Sequence, residues 1–356
     1  MSWLGTDHRR NGSSRSTVLV TGATGFLGSA LVRRLLSPDT RVRVLVRSPA
    51  KGMELAEEGA EVVLGSITDF AAVRAAVHDV DVVYHLAGRL FVPGVPATVY
   101  RTTHVDGTKI LLACCAEVSG PKRFVHCSTT GVLGVTGKRP ANECAPVRPT
   151  NVYEETKAEA EFAVLQQARD GLPAVIARPG LVYGPGDLHL LPFFKSVLGR
   201  RFRPIGREPV WLHPIYIDDL TEALSRCGTR DAAIGECFHL AGQEPATLQR
   251  LAEEIALAGG TRLPAGYIPA AAAQAVAALG DRLPPTLRQA APLTSSRLEF
   301  LTHSRVYDVT KAARVLDFAA STDLRSGIAT TMAWYRAGGY LGAPRVVNAW
   351  SRHACA

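Results

Sequence analysis

Along the first half of the chain, apolar residues come in short, nearly unbroken runs. Between the runs they recur every three or four positions. The runs are Val18–Val20, Arg41–Arg47 (where apolar and charged residues alternate), Glu61–Gly65, Asp81–Gly88, Lys122–Cys127 and Leu172–Arg178. Such short continuous runs read as buried parallel strands. The intervening Ser29–Leu36, Phe70–Val77 and about Val152–Ala168 read as helices, with Thr68 or Asp69 capping the second of them, and Ala97–Val118 contains another, carrying Leu111–Cys115. Strict alternation of this kind predicts an α/β fold with a doubly wound parallel sheet.

Beyond Tyr183 the rhythm loosens. Gly184–Asp187 reads as a turn, Leu188–Leu198 as an apolar helix, and Gly199–Pro204 (GRRFRP) as a basic connector. Trp211–Ile217 is strand-like, Asp218-Asp219 would cap a helix over Leu220–Arg226, Cys237–Leu240 is another short strand, and Leu248–Leu257 is an amphipathic helix. Ile268–Leu279 (IPAAAAQAVAAL) is helical and apolar apart from Gln274. It reads as core, as the wall of a greasy pocket, or as a surface that touches a membrane. The expected organisation is a disordered tail over 1–16, a dinucleotide-binding sheet domain over 17–180, a mainly substrate-binding region over 181–342 with some elements returning to the core, and a flexible tail over 343–356. The C-terminal half reads as a smaller lid over the carboxyl ends of the strands, where open α/β sheets place ligands.

One stretch organises the rest. Thr17–Gly28 (TVLVTGATGFLG) runs from a strand through a glycine turn into a helix, the phosphate-cradling unit of a Rossmann-type fold. Gly22 allows the tight turn, Gly25 lets the backbone approach a pyrophosphate, and Gly28 lets helix and strand pack closely. The plainer alternative is a glycine-rich turn with no ligand. At the end of the second strand, where an Asp or Glu commonly meets a ribose hydroxyl, this chain has Arg47 and Ser48, with Lys51 nearby. A guanidinium can grip a 2′-phosphate that a carboxylate would repel. NADP(H) is therefore the expected cofactor and NAD(H) remains possible, with Arg47 then a solvated strand end.

Composition narrows the remainder. The chain has 356 residues, 47% hydrophobic and 20% charged, as in an ordinary globular protein with a full core. Its seven cysteines form an odd set with no CxxC pair, which fits reduced cytosolic thiols and a cytoplasmic location. The ten histidines fall singly, so no metal site is expected. The formal charge of +8 is spread over 40 basic and 32 acidic residues without a long basic block. Solvated surface accounts for it, or attraction of phosphate-bearing cofactors or an anionic membrane. Met1–Ser16 lacks the apolar core of a signal peptide, and no apolar stretch is long enough for a spanning helix.

The strongest chemical signal is Tyr153-Glu154-Glu155-Thr156-Lys157. A tyrosine and a lysine four residues apart share a helix face. The lysine cation favours the phenolate and lowers a pKa ordinarily near about 10. Tyr153 then becomes an acid/base for interconverting alcohol and ketone, while Lys157 also holds the nicotinamide ribose. Thr129, just past a strand end, offers a hydroxyl to orient the substrate oxygen. As a bare pattern YxxxK also describes an ordinary helix surface. His85 reads as a buried structural histidine.

Taken together, TGATGFLG at 21–28, Gly65–Asp69, HLAG at 85–88, VDGT at 105–108, STTGVLG at 128–134, YEETK at 153–157, ARPGLVYGPGD at 177–187 and YIDDL at 216–220 resemble the extended short-chain dehydrogenase/reductase family. This family lies within the NAD-dependent epimerase/dehydratase superfamily, and the resemblance spans roughly residues 17–342. It implies Thr129, Tyr153 and Lys157 as catalytic residues. It implies Gly22, Thr24, Gly25, Phe26, Leu27, Gly28, Arg47, Lys51, Ser66, Ile67, Asp69, Leu86, Ala87, Gly88 and Pro179 as cofactor-binding, together with Tyr153 and Lys157. It also implies a homodimer. His104 stands where the family commonly has asparagine, and Leu133 where it commonly has tyrosine, which leaves the substrate side less polar.

Thr130-Gly131 after the catalytic hydroxyl lacks the Asp-Glu pair of sugar-nucleotide dehydratases, and no RPGD-like arginine signature follows. The C-terminal half looks like the 3β-hydroxysteroid dehydrogenase-like branch, with its sterol 4-carboxylate dehydrogenases, β-keto acid reductases and dihydroflavonol reductase relatives. That resemblance implies an NADP(H)-dependent oxidoreductase of a small hydrophobic ketone or alcohol, without nucleic acid or a transmembrane segment and with peripheral membrane contact possible. A nucleotide-sugar epimerase or reductase, and a non-catalytic dinucleotide sensor, are the alternatives.

Overall fold

The computed structural model describes residues 15–118, 120–289 and 291–342. The tail readings for residues 1–14 and 343–356 therefore lie outside the described residues. Seven strands form one parallel sheet: β1 (Ser16–Thr21), β2 (Thr40–Val46), β3 (Glu61–Leu64), β4 (Val82–His85), β5 (Arg123–Cys127), β6 (Ala174–Pro179) and β7 (Cys237–Leu240). Their order across the sheet is β7-β6-β5-β4-β1-β2-β3. Every pairing is parallel; Val20, for example, faces Val44 on one side and Tyr84 on the other. Ser16, assigned to the tail by its polarity, is the first residue of β1 and pairs with Thr40.

The unbroken apolar runs have a direct cause. Successive strand residues point to opposite faces, and both faces are covered. Val18, Val20, Val44 and Val125 face a core closed by Leu31, Val32, Leu220 and Leu224. Leu19, Leu45, Val83 and Phe124 face a second core closed by Val73, Leu111, Leu112 and Val164. Burying each such side chain is worth about 1.5–3 kcal/mol relative to leaving it in water.

The covering helices are α1 (Phe26–Leu35), α2 (Pro49–Glu57), α3 (Phe70–Val77), α4 (Ala97–Arg101), α5 (Gly107–Glu117), α6 (Val152–Arg169), α7 (Leu191–Leu198) and α8 (Ile217–Thr229). They are followed by α9 (Leu248–Ala258), α10 (Ala270–Asp281), α11 (Pro285–Arg288), α12 (Ser295–Thr302), α13 (Thr310–Leu316) and α14 (Leu324–Ala337). A third core binds the C-terminal elements, where Phe194 and Val197 of α7, Leu251 and Ile255 of α9, and Ile328, Met332 and Tyr335 of α14 are all buried together.

The structure corrects several expectations. The helix expected around Leu111–Cys115 is α5, and helical backbone reaches back from it to Ala97 through the π-helical turn Thr102–Asp106. Trp211–Ile217 is not one strand but two short ones, Trp211–Leu212 and Pro214–Tyr216, and Ile217 already opens α8. Asp218 and Asp219 therefore sit in the first turn of α8 rather than at its cap. The Asp219 carboxylate accepts from Ser321 N (3.1 Å), Ser321 Oγ (3.0 Å) and Thr322 N (3.1 Å), which ties α8 to the approach of α14. The apolar helix α10 is not core, because only Ala273, Ala277 and Gly280 are buried along it. Those three residues make one narrow stripe, and the rest of the helix faces outward.

Candidate active site

The turn after β1 is an open backbone cradle. Gly22 has φ +72°, a backbone state that side chains rarely adopt, and a Cβ there would lie 2.8 Å from the Leu86 carbonyl. A Cβ on Gly28 would lie 2.1 Å from the Gly22 carbonyl. Gly25 donates to Gly22 O at 3.0 Å and stands at the N-cap of α1 with no side chain capping the helix. Phe26, Leu27 and Gly28 form the first helical turn, three residues earlier than the sequence pattern indicated, and their amides lead the helix dipole toward the strand ends. Thr24 is exposed beside them. A backbone cradle that a Cβ would fill, opening on an uncapped helix N-terminus, fits a pyrophosphate.

The other cofactor candidates ring the same end of the sheet. Leu86 N donates to Thr21 O and Ala87 N to Thr21 Oγ1, both at 3.2 Å, so the β4 exit lies against the glycine turn, with Gly88 following. Arg47 is exposed at the end of β2, and Lys51 is exposed on α2 beyond the Ser48 cap. Ser66 Oγ lies 2.9 Å from Thr68 Oγ1, Ile67 is buried against Gly107, and Asp69 caps α3 through Ala71 N (3.0 Å) and Ala72 N (3.2 Å). Pro179 is buried at the end of β6, its carbonyl accepting from Thr130 Oγ1 at 3.0 Å.

Thr129, Tyr153 and Lys157 are brought together where β5 meets α6. Thr129 caps a short 3₁₀ turn (Thr130–Leu133), its hydroxyl accepting from Gly131 N at 3.1 Å. Asn151 caps α6 by accepting from Glu154 N at 3.1 Å, which puts Tyr153 and Lys157 in the first two turns. Lys157 is buried and donates to the Cys127 carbonyl at 2.6 Å. Burial lowers the pKa of that ammonium, while the Cys127 thiol and Glu161 oppose the shift. The Tyr153 phenol departs from expectation. Burial pushes its pKa up, and the Thr129 hydroxyl against it pulls the other way. The environment of the phenol thus outweighs the helical neighbour, whose ammonium is engaged with Cys127 O.

Sequence reasoning missed what holds this helix. A chain of hydrogen bonds, each with a fixed direction, crosses the fold. Ala87 N–H donates to Thr21 Oγ1, and Thr21 donates to His85 Nδ1 at 2.8 Å. His85 Nε2–H donates to Thr108 Oγ1 at 2.8 Å, and Thr108 donates to His104 O. Across the π-helical turn, His104 Nε2 accepts from Arg89 N at 3.0 Å, so Nδ1 carries the proton and donates to Thr156 Oγ1 at 2.8 Å. Thr156 in turn donates to the carbonyls of Val152 (2.8 Å) and Tyr153 (3.1 Å). His85 and His104 are both neutral, their pKa values lowered to about 3 chiefly by burial. The turn around position 104 is π-helical, and the imidazole stands edge-on to Tyr153 at 5.6 Å between centroids.

Further along α6, Glu161 pairs with Arg178 of β6, both buried. One sign of all this was available. The early inward positions of α6 (Glu154, Thr156, Lys157 and Glu161) are polar, so the face they present has to be polar too.

On the substrate side, Leu133 does not line an open site. The 3₁₀ turn drives it inward with Val132 and Tyr307. A separate open groove of about 760 Å³ lies between residues 202–207 and 261–267, and the catalytic candidates do not line it. Among the described residues no helix is long and apolar enough to cross a membrane.

Against known proteins, the family model described as NAD dependent epimerase/dehydratase family matches residues 18–241. Among curated proteins the chain is 28% identical to a 4-hydroxy-2-methyl-3-oxo-4-farnesyl-3,4-dihydroquinoline-1-oxide ketoreductase of Stigmatella aurantiaca, over 87% of this chain and 93% of that one. It is also 28% identical to sterol demethylase protein B of Methylococcus capsulatus, over 91% and 100%. The solved structure of gox2253 superposes with a TM-score of 0.77 at 28% identity, covering 92% of this chain and 100% of that one.

Proposed function

We propose, from the premise that this chain belongs to the NAD dependent epimerase/dehydratase family, that it is an NADP(H)-dependent oxidoreductase. Its reaction interconverts a ketone and a secondary alcohol, the 3-keto or 3-hydroxy group of a bulky hydrophobic molecule such as a steroid or a β-keto acyl compound. The observation that carries this reading is the convergence of Thr129, Tyr153 and Lys157 on the strand ends beside the glycine cradle. The amides of Phe26, Leu27 and Gly28 would hold the pyrophosphate, Asp69 and Ile67 the adenine end, and Arg47 with Lys51 the 2′-phosphate. When bound, the nicotinamide supplies or accepts the hydride.

The chain does the rest. Thr129 orients the substrate oxygen, and Tyr153 gives its proton to the developing alkoxide, or takes it back in oxidation. Burial keeps the phenol protonated at neutral pH but makes it a weaker acid, so its proton transfer depends on the positive charge beside it. Lys157, anchored on Cys127 O, holds the ribose and supplies positive charge near the phenolate as it forms. The farnesylated and sterol-related names of the relatives favour a lipophilic substrate. Exposed Phe162 and Leu165 on α6, with Val99 on α4, favour a homodimer through that face, and the free cysteines favour a cytoplasmic setting.

The test is a panel assay followed at the nicotinamide absorbance. Steroids and long-chain β-keto compounds should turn over with NADPH, and UDP- and GDP-sugars should not. Epimerisation of a sugar nucleotide without net cofactor change would overturn the substrate reading. Tighter binding of NADH than NADPH, or an Arg47→Asp variant that weakens both cofactors equally, would overturn the cofactor reading.

A further inference from the structure

From Ile255 to Gly280 the chain carries a single charged residue, Arg262. Most of that stretch from Arg262 onward is exposed. Tyr267, Ile268, Val276 and Leu279 all stand in solvent, Leu279 at 62% of its full exposure, and Leu287 of α11 is exposed at 57%. Alanines at 270, 271, 272, 275 and 278 fill the space between them. The inner stripe of α10 (Ala273, Ala277 and Gly280) is spent against the Ala291–Leu293 segment and α12, so among the described residues the outer face has no partner.

The basic connector is stitched to this apolar face. Ile268 N donates to Pro204 O at 2.8 Å and Gly206 N donates to Ile268 O at 2.9 Å, a β-bridge between Ile205 and Ile268. Arg203 Nε donates to Ala265 O at 3.3 Å, and the Arg207 guanidinium lies 5.0 Å from the Tyr267 ring centre. Arg203 and Arg207 are thereby held on this border, and Arg262 lines the same groove as Arg207; Arg200 and Arg201 precede them in the connector, and Arg282 and Arg288 follow the end of α10. Among the described residues none of the seven forms an ion pair with a carboxylate. The acidic groups nearby are engaged elsewhere: Glu208 with Lys138, Glu253 with Gln249, and Asp281 with the Ser295 amide.

We propose that this face docks on an anionic lipid surface. Apolar side chains enter the headgroup boundary while the arginine border meets phosphates, the arrangement by which interfacial helices bind without spanning. The occupant has to be both apolar and negatively charged over an extended plane. A bilayer containing acidic lipid meets both demands at once, whereas an ordinary protein partner would need a matching apolar groove with an acidic rim. The inference rests on surface chemistry and stands whichever substrate the active site takes.

The experiment is co-sedimentation of the full chain with vesicles of phosphatidylcholine alone and of phosphatidylcholine mixed with phosphatidylglycerol. The mixed vesicles should bind the protein, and salt at about 0.5 M should weaken that binding strongly. Val276→Glu with Leu279→Glu should reduce binding by roughly tenfold or more, and Arg207→Glu with Arg262→Glu by a similar factor. NADPH binding and the melting temperature should stay unchanged in both variants, which shows that they are folded. Absence of vesicle binding by the unaltered chain would overturn the proposal, as would binding that neither double variant reduces. Loss of a concentration-dependent dimer in the Val276→Glu/Leu279→Glu variant, with no vesicle binding to lose, would assign the face to a second copy instead.

Discussion

The hydrogen-bond lattice under α6 and the outer face of α10 depart from the usual partition of residues in opposite directions. In the first, Thr21, His85, His104, Thr108 and Thr156 are polar and almost wholly excluded from water. In the second, Ile268, Val276, Leu279 and Leu287 are apolar and stand in it. Burying a polar group is tolerable only when its hydrogen bonds are made, and in the lattice each donor finds an acceptor in a fixed direction. Exposing a large apolar group costs the fold little, but it leaves an adhesive surface. Each departure therefore has its own meaning: the lattice fixes the helix that carries Tyr153 and Lys157, and the apolar face is left uncovered by the described residues.

The largest effect should come from Tyr153, on the helix that the lattice holds. Tyr153→Phe keeps the ring and its contact with His104 but removes the proton, and it should lower turnover by roughly 10²–10⁴-fold with little change in NADPH affinity. Steady-state kinetics with cofactor titration measures both, and near-normal turnover would move the proton donor elsewhere. His104 is poorly suited to that role, since its Nε2 lone pair already accepts from Arg89 N and burial lowers its pKa to about 3.

The next effect sharpens the contrast through pH. His85 and His104 are neutral in the folded chain, with pKa values near 3, and burial holds His126 well below its ordinary value. Unfolded, each would bind a proton below about pH 6.5. The unfolded state therefore gains protons first as pH falls, so stability should decline from about pH 6.5 downward, by about 2 kcal/mol for each histidine at pH 5. Thermal melts from pH 7 to pH 5 follow this, and His104→Asn should remove one histidine's share of the slope.

Smaller again is the loss of a single link. Thr108→Val leaves His85 Nε2–H without an acceptor and His104 O without its donor, and it should cost about 1–3 kcal/mol in urea unfolding. At the other extreme, Leu279→Ser should change stability by no more than about 0.5 kcal/mol, because the side chain is already in solvent. A large destabilisation there would mean that the outer face of α10 is covered by its own protein, and the comparison of the two regions would fail.

The difference between the regions also explains what the sequence made legible. The seven strands and the glycine cradle follow from local pattern: period, run length, and glycines at positions where a Cβ would collide. The lattice does not, because Thr21, His85, Thr108 and Thr156 come from four separate elements and acquire a common direction only when those elements pack. The exposure of α10 was illegible for a second reason. An apolar run implies burial by default, and only the geometry of neighbouring segments reveals that none of the described residues covers its outer side. The Tyr153 phenol failed in a third way, since the spacing to Lys157 was right while burial, a property of the whole site, decided the direction of the shift.

The position of β7 bears on how the chain is made. Its partner β6 ends at Pro179, yet β7 begins only at Cys237, after the segment that builds α7 and α8. On a ribosome adding 5–20 residues per second, that separation of roughly 60 residues leaves the flank of β6 without its neighbour for roughly 3–12 s. Ala174–Ala177 would present an apolar template for pairing with another nascent chain during that interval. Every second backbone group of the strand faces that flank, and the amides of Ile176 and Gly180 reach their acceptors, Glu236 O and Leu240 O at 2.9 Å each, only once β7 is in place.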